Sequence, residues 1–108
     1  MLTPEAIQQA VQRIVTAAQP NRVILFGSYA RGEANEDSDL DLLVIERDLP
    51  ADQVANEMAR LRLAVGSVGV GVDILVYSEA EFERRKNWSA TPIYWAQQEG
   101  RVVYERPH

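Results

Sequence analysis

The chain has 108 residues, no cysteine and a formal net charge of −5. This length suits a single domain over residues 1–108, and the negative charge argues against broad binding to nucleic acid. The absence of cysteine excludes thiolate zinc sites. His108 is the only histidine and the last residue, which excludes histidine zinc sites and serine–histidine catalysis. No apolar run is long enough to span a membrane and no signal pattern opens the chain, so we expect a cytoplasmic protein.

The first half of the chain alternates helical and β-rich patterns. Thr3 and Pro4 are typical of a helix start, and apolar residues then recur at helical spacing until Pro20. A strand is predicted over residues 22–26, and Gly27 ends it. A short helix over 28–34 and a polar loop over 35–38 follow, and a second strand is predicted over 39–45.

The second half continues the alternation. A helix is predicted over 50–65 and a strand over 68–77, and Ser78 with Glu81 has the spacing of a capping box at the start of another helix. Thr91 opens a last helix that ends at Gly100, and 101–105 is a final strand. This order predicts an α/β protein with a sheet covered by helices, and it leaves the strand directions open.

Two aspartates share one face of the strand over 39–45. Residues two apart on a strand point the same way, so Asp39 and Asp41 project side by side with roughly 6–7 Å between their α-carbons. Asp73 lies in the apolar strand over 68–77, where a charge is costly unless it is paired or bound to metal. If the two strands are neighbours, the three carboxylates can converge. Their mutual repulsion favours divalent cations, and two magnesium ions could clamp the attacking and leaving oxygens of a displacement.

A Gly-Ser turn precedes these aspartates. Gly27 lets the backbone approach a ligand closely, and Ser28 stands at the start of the predicted short helix, where backbone N–H groups favour an anion. The turn therefore suits phosphate, and the carboxylates would bring metal to the same phosphate. Arg31, about one turn further on, could contact phosphate or remain a solvated surface residue.

Together, Gly27-Ser28, then Asp39 and Asp41 after ten intervening residues, and Asp73 in a further strand resemble the signature of the DNA polymerase beta-like nucleotidyltransferases. Within that superfamily the chain is similar to the minimal nucleotidyltransferases, and residues 91–105 resemble their ending. The resemblance implies a small mixed β-sheet flanked by helices. It also implies that Gly27 and Ser28 bind ATP, and that the three aspartates act in catalysis and hold two Mg²⁺ ions, or Mn²⁺.

Minimal nucleotidyltransferases are typically antitoxins paired with a helical HEPN-domain toxin, usually an RNase. The resemblance implies transfer of AMP from ATP to a tyrosine hydroxyl of such a toxin, in a hetero-oligomer with it. Two alternatives stay open: an inactive relative that inhibits its partner by occlusion, and an enzyme acting on a small molecule or an RNA end. Trp88, Tyr94 and Trp95 cluster near the predicted C-terminal helices, where core packing is the usual explanation and a partner surface is the other.

Overall fold

The computed structural model describes residues 1–107, so that His108 lies outside the described residues, and it confirms a small mixed β-sheet flanked by helices. No helix within this range could span a membrane. A 3₁₀ turn over Ala51–Gln53 precedes the third helix. The elements in chain order are α1 (Pro4–Ala18), β1 (Arg22–Phe26), α2 (Ser28–Arg31), β2 (Leu40–Glu46), α3 (Val54–Val65), β3 (Val72–Ser78), α4 (Glu79–Arg85), α5 (Pro92–Glu99) and β4 (Arg101–Glu105).

The sheet has the order β3-β2-β1-β4. Strand β2 pairs parallel to β3 and antiparallel to β1, and β4 pairs antiparallel to β1, which settles the directions that the sequence left open. Because β2 is central, both of its faces are covered, and every residue from Leu42 to Glu46 is buried. Strand β3 is an edge strand, so its open side faces solvent.

Helices cover both faces of the sheet and form two cores. Helices α1 and α3 pack on the face that contains Leu40, Leu42 and Val44, the residues predicted to point into the core. On the opposite face, Phe82 of α4 and Ile93 and Ala96 of α5 pack against Ile24, Leu43 and Ile45. Asp41 belongs to this second face, since it alternates with Leu43 and Ile45 along β2.

Several predicted boundaries differ from the observed ones. The helix predicted over 28–34 ends at Arg31, because Gly32 adopts a left-handed conformation with φ of 74° and caps it. The strand predicted over 68–77 begins only at Val72, after a turn in which Gly66 and Gly69 have positive φ. Asp39 lies just before β2 rather than within it, since the ladder begins at Leu40. The helix predicted over 50–65 begins as the 3₁₀ turn and becomes α-helical at Val54.

The predicted helix starts are confirmed, whereas core packing is wrong for Trp88 and Trp95 and Tyr94 is half-buried. The side chains of Thr3, Ser78 and Thr91 each accept a hydrogen bond from the backbone N–H three residues later. Trp88, between α4 and α5, is 54% exposed, and Trp95 is 50% exposed because the inward positions of α5 are taken by Ile93 and Ala96.

Candidate active site

The Gly27–Ser28 turn lies directly beside Asp41. Phe26, the last residue of β1, is the ladder partner of Asp41 on β2, so Gly27 leaves the strand next to that carboxylate. Gly27 has φ of 74°, which favours glycine, and a Cβ added to it would overlap the Asp41 carboxylate, with only 3.0 Å to its Cγ. The antiparallel β1–β2 pair therefore brings together the predicted phosphate-binding turn and the predicted catalytic carboxylate.

The parallel β2–β3 pair places Asp73 opposite Asp41. The two aspartates are ladder partners, and neighbouring strands lie roughly 4.8 Å apart, so their side chains are neighbours on one face of the sheet. Asp41 is half-buried between β1 and β3, whereas Asp73 is exposed because β3 is the sheet edge. The sequence suggested a costly buried charge at position 73; the edge position instead leaves that carboxylate open to solvent.

Asp39 is brought close to the other two carboxylates by a second glycine. The backbone N–H of Leu40 donates to the carbonyl of Gly71 at 2.8 Å, which fixes the chain before β2 against the chain before β3. A Cβ at position 71 would overlap the Asp39 carboxylate, with 2.9 Å to its Cγ. Asp39 therefore packs against a position where a side chain would displace it.

The electrostatics of Asp41 reflect this crowding. The pKa of Asp41 is raised from an ordinary value of 3.8 to about 6. Burial is the largest cause, and the negative charges of Asp73 and Asp39 contribute to the same rise. A hydrogen bond with Asp73 acts in the same direction, and the charge of Arg31 opposes it. Because these carboxylates repel one another, a proton on Asp41 or a bound cation would relieve the repulsion.

The donor set fits magnesium, although no ready-made metal cage is present. Among residues 1–107, no three acidic, histidine or cysteine side chains form a preset metal-binding group. Magnesium is usually bound through one or two carboxylates together with substrate phosphates, so a complete protein cage is not required. Two carboxylates packed against glycines, with an uncompensated negative charge, are chemically suited to a hard cation.

Arg31 also lies at this site. It is the last residue of α2, one turn from Ser28, and its backbone N–H donates to the carbonyl of Gly27 at 3.1 Å. Its guanidinium donates to Glu99 at the end of α5 at 3.2 Å and to Glu33 at 3.5 Å. The sequence left Arg31 open between phosphate and solvent, and its positive charge acts to lower the pKa of Asp41.

The sequence did not indicate the contacts that Gly71 makes with Asp39 and Glu99 makes with Arg31. A glycine two residues before an aspartate has no distinctive meaning until the parallel β2–β3 pairing is known. Glu99 meets Arg31 across 68 residues of chain, and nothing local to α5 indicates that contact. Both are consequences of long-range strand and helix packing.

The sequence model of the nucleotidyltransferase domain family matches residues 5–94, and the chain belongs to this family. The resemblance to the DNA polymerase beta-like nucleotidyltransferases is therefore confirmed, and the protein is a nucleotidyltransferase. A Methanocaldococcus jannaschii protein named "Putative protein adenylyltransferase MJ0604" is 35% identical over 103 residues, which cover 90% of this chain and 97% of that protein. A second protein of that organism with a corresponding name, MJ1305, is 62% identical over 32 residues, 30% of this chain and 22% of its own length.

Solved structures share the fold at low identity. The structure named "a putative nucleotidyltransferase from Sulfolobus solfataricus" aligns with a TM-score of 0.66 and 21% identity over 94% of this chain and 79% of its own. A chain of a toxin–antitoxin structure with AMP-PNP aligns with a TM-score of 0.57 and 20% identity, covering 92% and 73%. A chain of the toxin–antitoxin pair MntA–HpeT aligns with a TM-score of 0.54 and 21% identity, covering 98% and 75%. These likenesses establish the fold.

Proposed function

We propose that this nucleotidyltransferase moves AMP from ATP to a hydroxyl of a partner protein, a tyrosine of a HEPN-type RNase toxin, and so acts as its antitoxin in a complex with it. The observation that carries the proposal is the position of the Gly27–Ser28 turn against Asp41, which puts a phosphate-binding turn beside a cluster of carboxylates. The choice of AMP and of a protein acceptor is supported by the relative named a protein adenylyltransferase, which this chain matches over nearly its full length.

The nucleotide side of the site is formed by α2. The backbone N–H groups after Gly27, the hydroxyl of Ser28 and the guanidinium of Arg31 would hold the β- and γ-phosphates. These donors stabilise the charge that gathers on pyrophosphate as it leaves. The α-phosphorus is thereby presented toward Asp41 and Asp73, which lie on the two strands beyond the turn.

The acceptor side of the site is formed by the sheet edge. Asp39, Asp41 and Asp73 would hold two Mg²⁺ ions, which when bound lower the pKa of an acceptor hydroxyl and neutralise phosphate charge. Asp73 accepts the proton of the acceptor hydroxyl, because it is exposed and stands beside Asp41. The acceptor oxygen then bonds to the α-phosphorus, the bond from that phosphorus to the bridging oxygen breaks, and pyrophosphate leaves.

The open acceptor side favours a macromolecular acceptor. Asp73 stands on an edge strand, exposed to solvent, while Asp41 is half-buried beside the Gly27–Ser28 turn. A hydroxyl presented by another protein can reach Asp73 directly, without a pocket of this chain's own. The formal net charge of −5 disfavours an RNA end as the acceptor.

The test is label transfer. The purified chain is incubated with magnesium, the HEPN-type product of a neighbouring gene, and ATP labelled at either the α- or the γ-phosphate. We expect the partner to gain label from α-labelled ATP and none from γ-labelled ATP, because AMP is transferred and pyrophosphate released. Label from the γ position would instead indicate phosphoryl transfer, and an unlabelled partner would contradict a transferase role toward it.

One observation favours a second candidate, inhibition by occlusion. Trp88 and Trp95 are both half-exposed, and tryptophan is enriched where protein surfaces bind one another. The two are linked through the loop before α5, since the indole N–H of Trp95 donates to the carbonyl of Ser89 at 2.8 Å. Inhibition of the partner by a catalytically inactive variant would support this candidate over transfer.

A further inference from the structure

Arg31 is held from two sides by carboxylates that belong to different parts of the chain. Its Nε donates to Glu33 Oε2 at 3.5 Å, and its Nη1 donates to Glu99 Oε2 at 3.2 Å. Glu33 follows α2 directly, but Glu99 is the last residue of α5 and lies beyond residues 5–94, which the family model matches. The matched range therefore contains Arg31 but not Glu99.

Helix α5 gives Glu99 a fixed position. Ile93 and Ala96 are fully buried against β1 and β2, so the helix cannot slide on the sheet. Gly100 follows at once and is packed so closely that a Cβ there would lie 2.8 Å from the Leu25 carbonyl oxygen and from Ile24 Cγ2. The carboxylate of Glu99 is thus tied to the same strand that leads into the Gly27–Ser28 turn.

We propose that Glu99 is a positioning residue for the triphosphate: it holds Arg31 so that the remaining guanidinium N–H groups face the β- and γ-phosphates. The inference rests on the proposed function and names a residue that determines its nucleotide affinity. A guanidinium has five N–H donors, and the two carboxylates engage two of them, so three remain for phosphate. Without Glu99, Arg31 regains the rotamer freedom of a long side chain and must lose it again when ATP binds.

A simple charge effect of Glu99 would have the opposite sign. A carboxylate near a triphosphate repels it, so removing that charge alone would tighten ATP binding. The side chains of Arg31 and Glu99 are each 39% exposed, and solvent screens such a charge effectively. Our proposal requires positioning to outweigh this screened repulsion, so loss of the carboxylate is expected to weaken binding.

The experiment measures affinity for a non-hydrolysable ATP analogue with magnesium, and for AMP, by calorimetry. Glu99→Gln is expected to weaken analogue binding about 2–5-fold, the scale of one exposed ion pair, and to leave AMP binding unchanged because AMP lacks the β- and γ-phosphates. In an Arg31→Ala background, Glu99→Gln is expected to have no further effect. Glu36→Gln is the matched control, since Glu36 is exposed and has no hydrogen bond or ion pair within residues 1–107. Melting curves of each variant confirm folding.

With wild-type binding intact, three results would overturn the role of Glu99. The first is that Glu99→Gln binds the analogue as tightly as the wild type or more tightly. The others are that Glu99→Gln loses as much affinity for AMP as for the analogue, or that it weakens analogue binding just as much when Arg31 is already alanine. A failure of the wild-type chain to bind the analogue would refute the proposed function itself. The two failures are thus distinguished by the wild-type measurement.

Discussion

At the scale of single residues, the site depends on two positions that have no side chain. Gly27 makes room for Asp41 and Gly71 makes room for Asp39, so each carboxylate lies where a Cβ would otherwise stand. Gly27 could be chosen from the sequence because a Gly-Ser turn after a strand suits phosphate. Gly71 could not, because its contact with Asp39 exists only once β2 and β3 pair in parallel.

Gly71→Ala is expected to reduce transfer at low magnesium by on the order of tenfold, because the new methyl group displaces Asp39 and misplaced catalytic groups lose rate steeply. Stability should change little, since φ at this position lies outside the left-handed region. Gly69→Ala is the matched control: it has φ of 90° and no atom within 4 Å of an added Cβ, so it should lower the melting temperature and leave transfer unchanged. Full activity of Gly71→Ala at low magnesium would contradict this account of Asp39.

Asp41→Asn is expected to abolish transfer and to keep or raise the melting temperature in the absence of metal. The pKa of Asp41 is raised to about 6 by burial and by Asp73 and Asp39, so the folded state binds this proton more tightly than the unfolded chain. The resulting stability is present below about pH 4 and is lost as pH rises through about 6. The variant should lack that decline, as melting curves in EDTA at several pH values would show. A large destabilisation of Asp41→Asn would mean that the Asp41 carboxylate has a structural role. Asp48→Asn is the control, because Asp48 is exposed.

At the scale of elements, strand position decides the character of each carboxylate. Strand β2 is central, which half-buries Asp41, while β3 is an edge strand, which exposes Asp73. The sequence predicted both strands because each has a clear apolar pattern, but it could not order them, since pairing depends on contacts distant in the chain. It also extended β3 back to residue 68, because valines alternate with glycines there and resemble a strand, whereas Gly69 turns the chain.

The far end of β2 contains a buried carboxyl pair that the sequence did not indicate. Glu46 points toward α3, and within residues 1–107 its Oε2 is the one buried side-chain oxygen or nitrogen without a hydrogen-bond partner. Burial raises the pKa of Glu46 to about 8, and a hydrogen bond with Glu57 adds to the rise. Hydrogen bonds from Arg60, at 2.7 and 2.8 Å, lower the pKa of Glu57. At neutral pH, Glu46 therefore keeps its proton and Glu57 is ionised.

Glu46→Gln is expected to flatten the pH dependence of stability on the alkaline side. Because the folded pKa of about 8 exceeds the ordinary value of 4.5, the stability linked to Glu46 is complete below about pH 4.5 and is lost as pH rises through about 8. A glutamine cannot ionise, so the variant should be more stable than the wild type at about pH 8.5 by on the order of 1 kcal/mol. Urea unfolding at about pH 6 and pH 8.5 measures this, and parallel losses in both proteins would contradict the assignment.

At the scale of the whole molecule, the sequence predicted more of the site than of the surface around it. The sequence singled out Gly27, Ser28, Asp41 and Asp73 from strand and turn patterns, and the strand pairing brings their elements together. The exposure of Trp88 and Trp95 could not be predicted, because the depth of a helix on a sheet depends on which of its residues face inward. The exposed edge position of Asp73 supports the proposed protein acceptor.

The central claim is that the chain inhibits its partner by adding AMP to it. The most direct measurement is the intact mass of a HEPN-type partner co-expressed with the wild-type chain or with Asp73→Asn, alongside the partner's RNase activity. The account predicts a partner heavier by one or more AMP units and inactive with the wild type, and an unmodified, active partner with Asp73→Asn. An unmodified partner that is inactive with both forms would contradict it and establish occlusion.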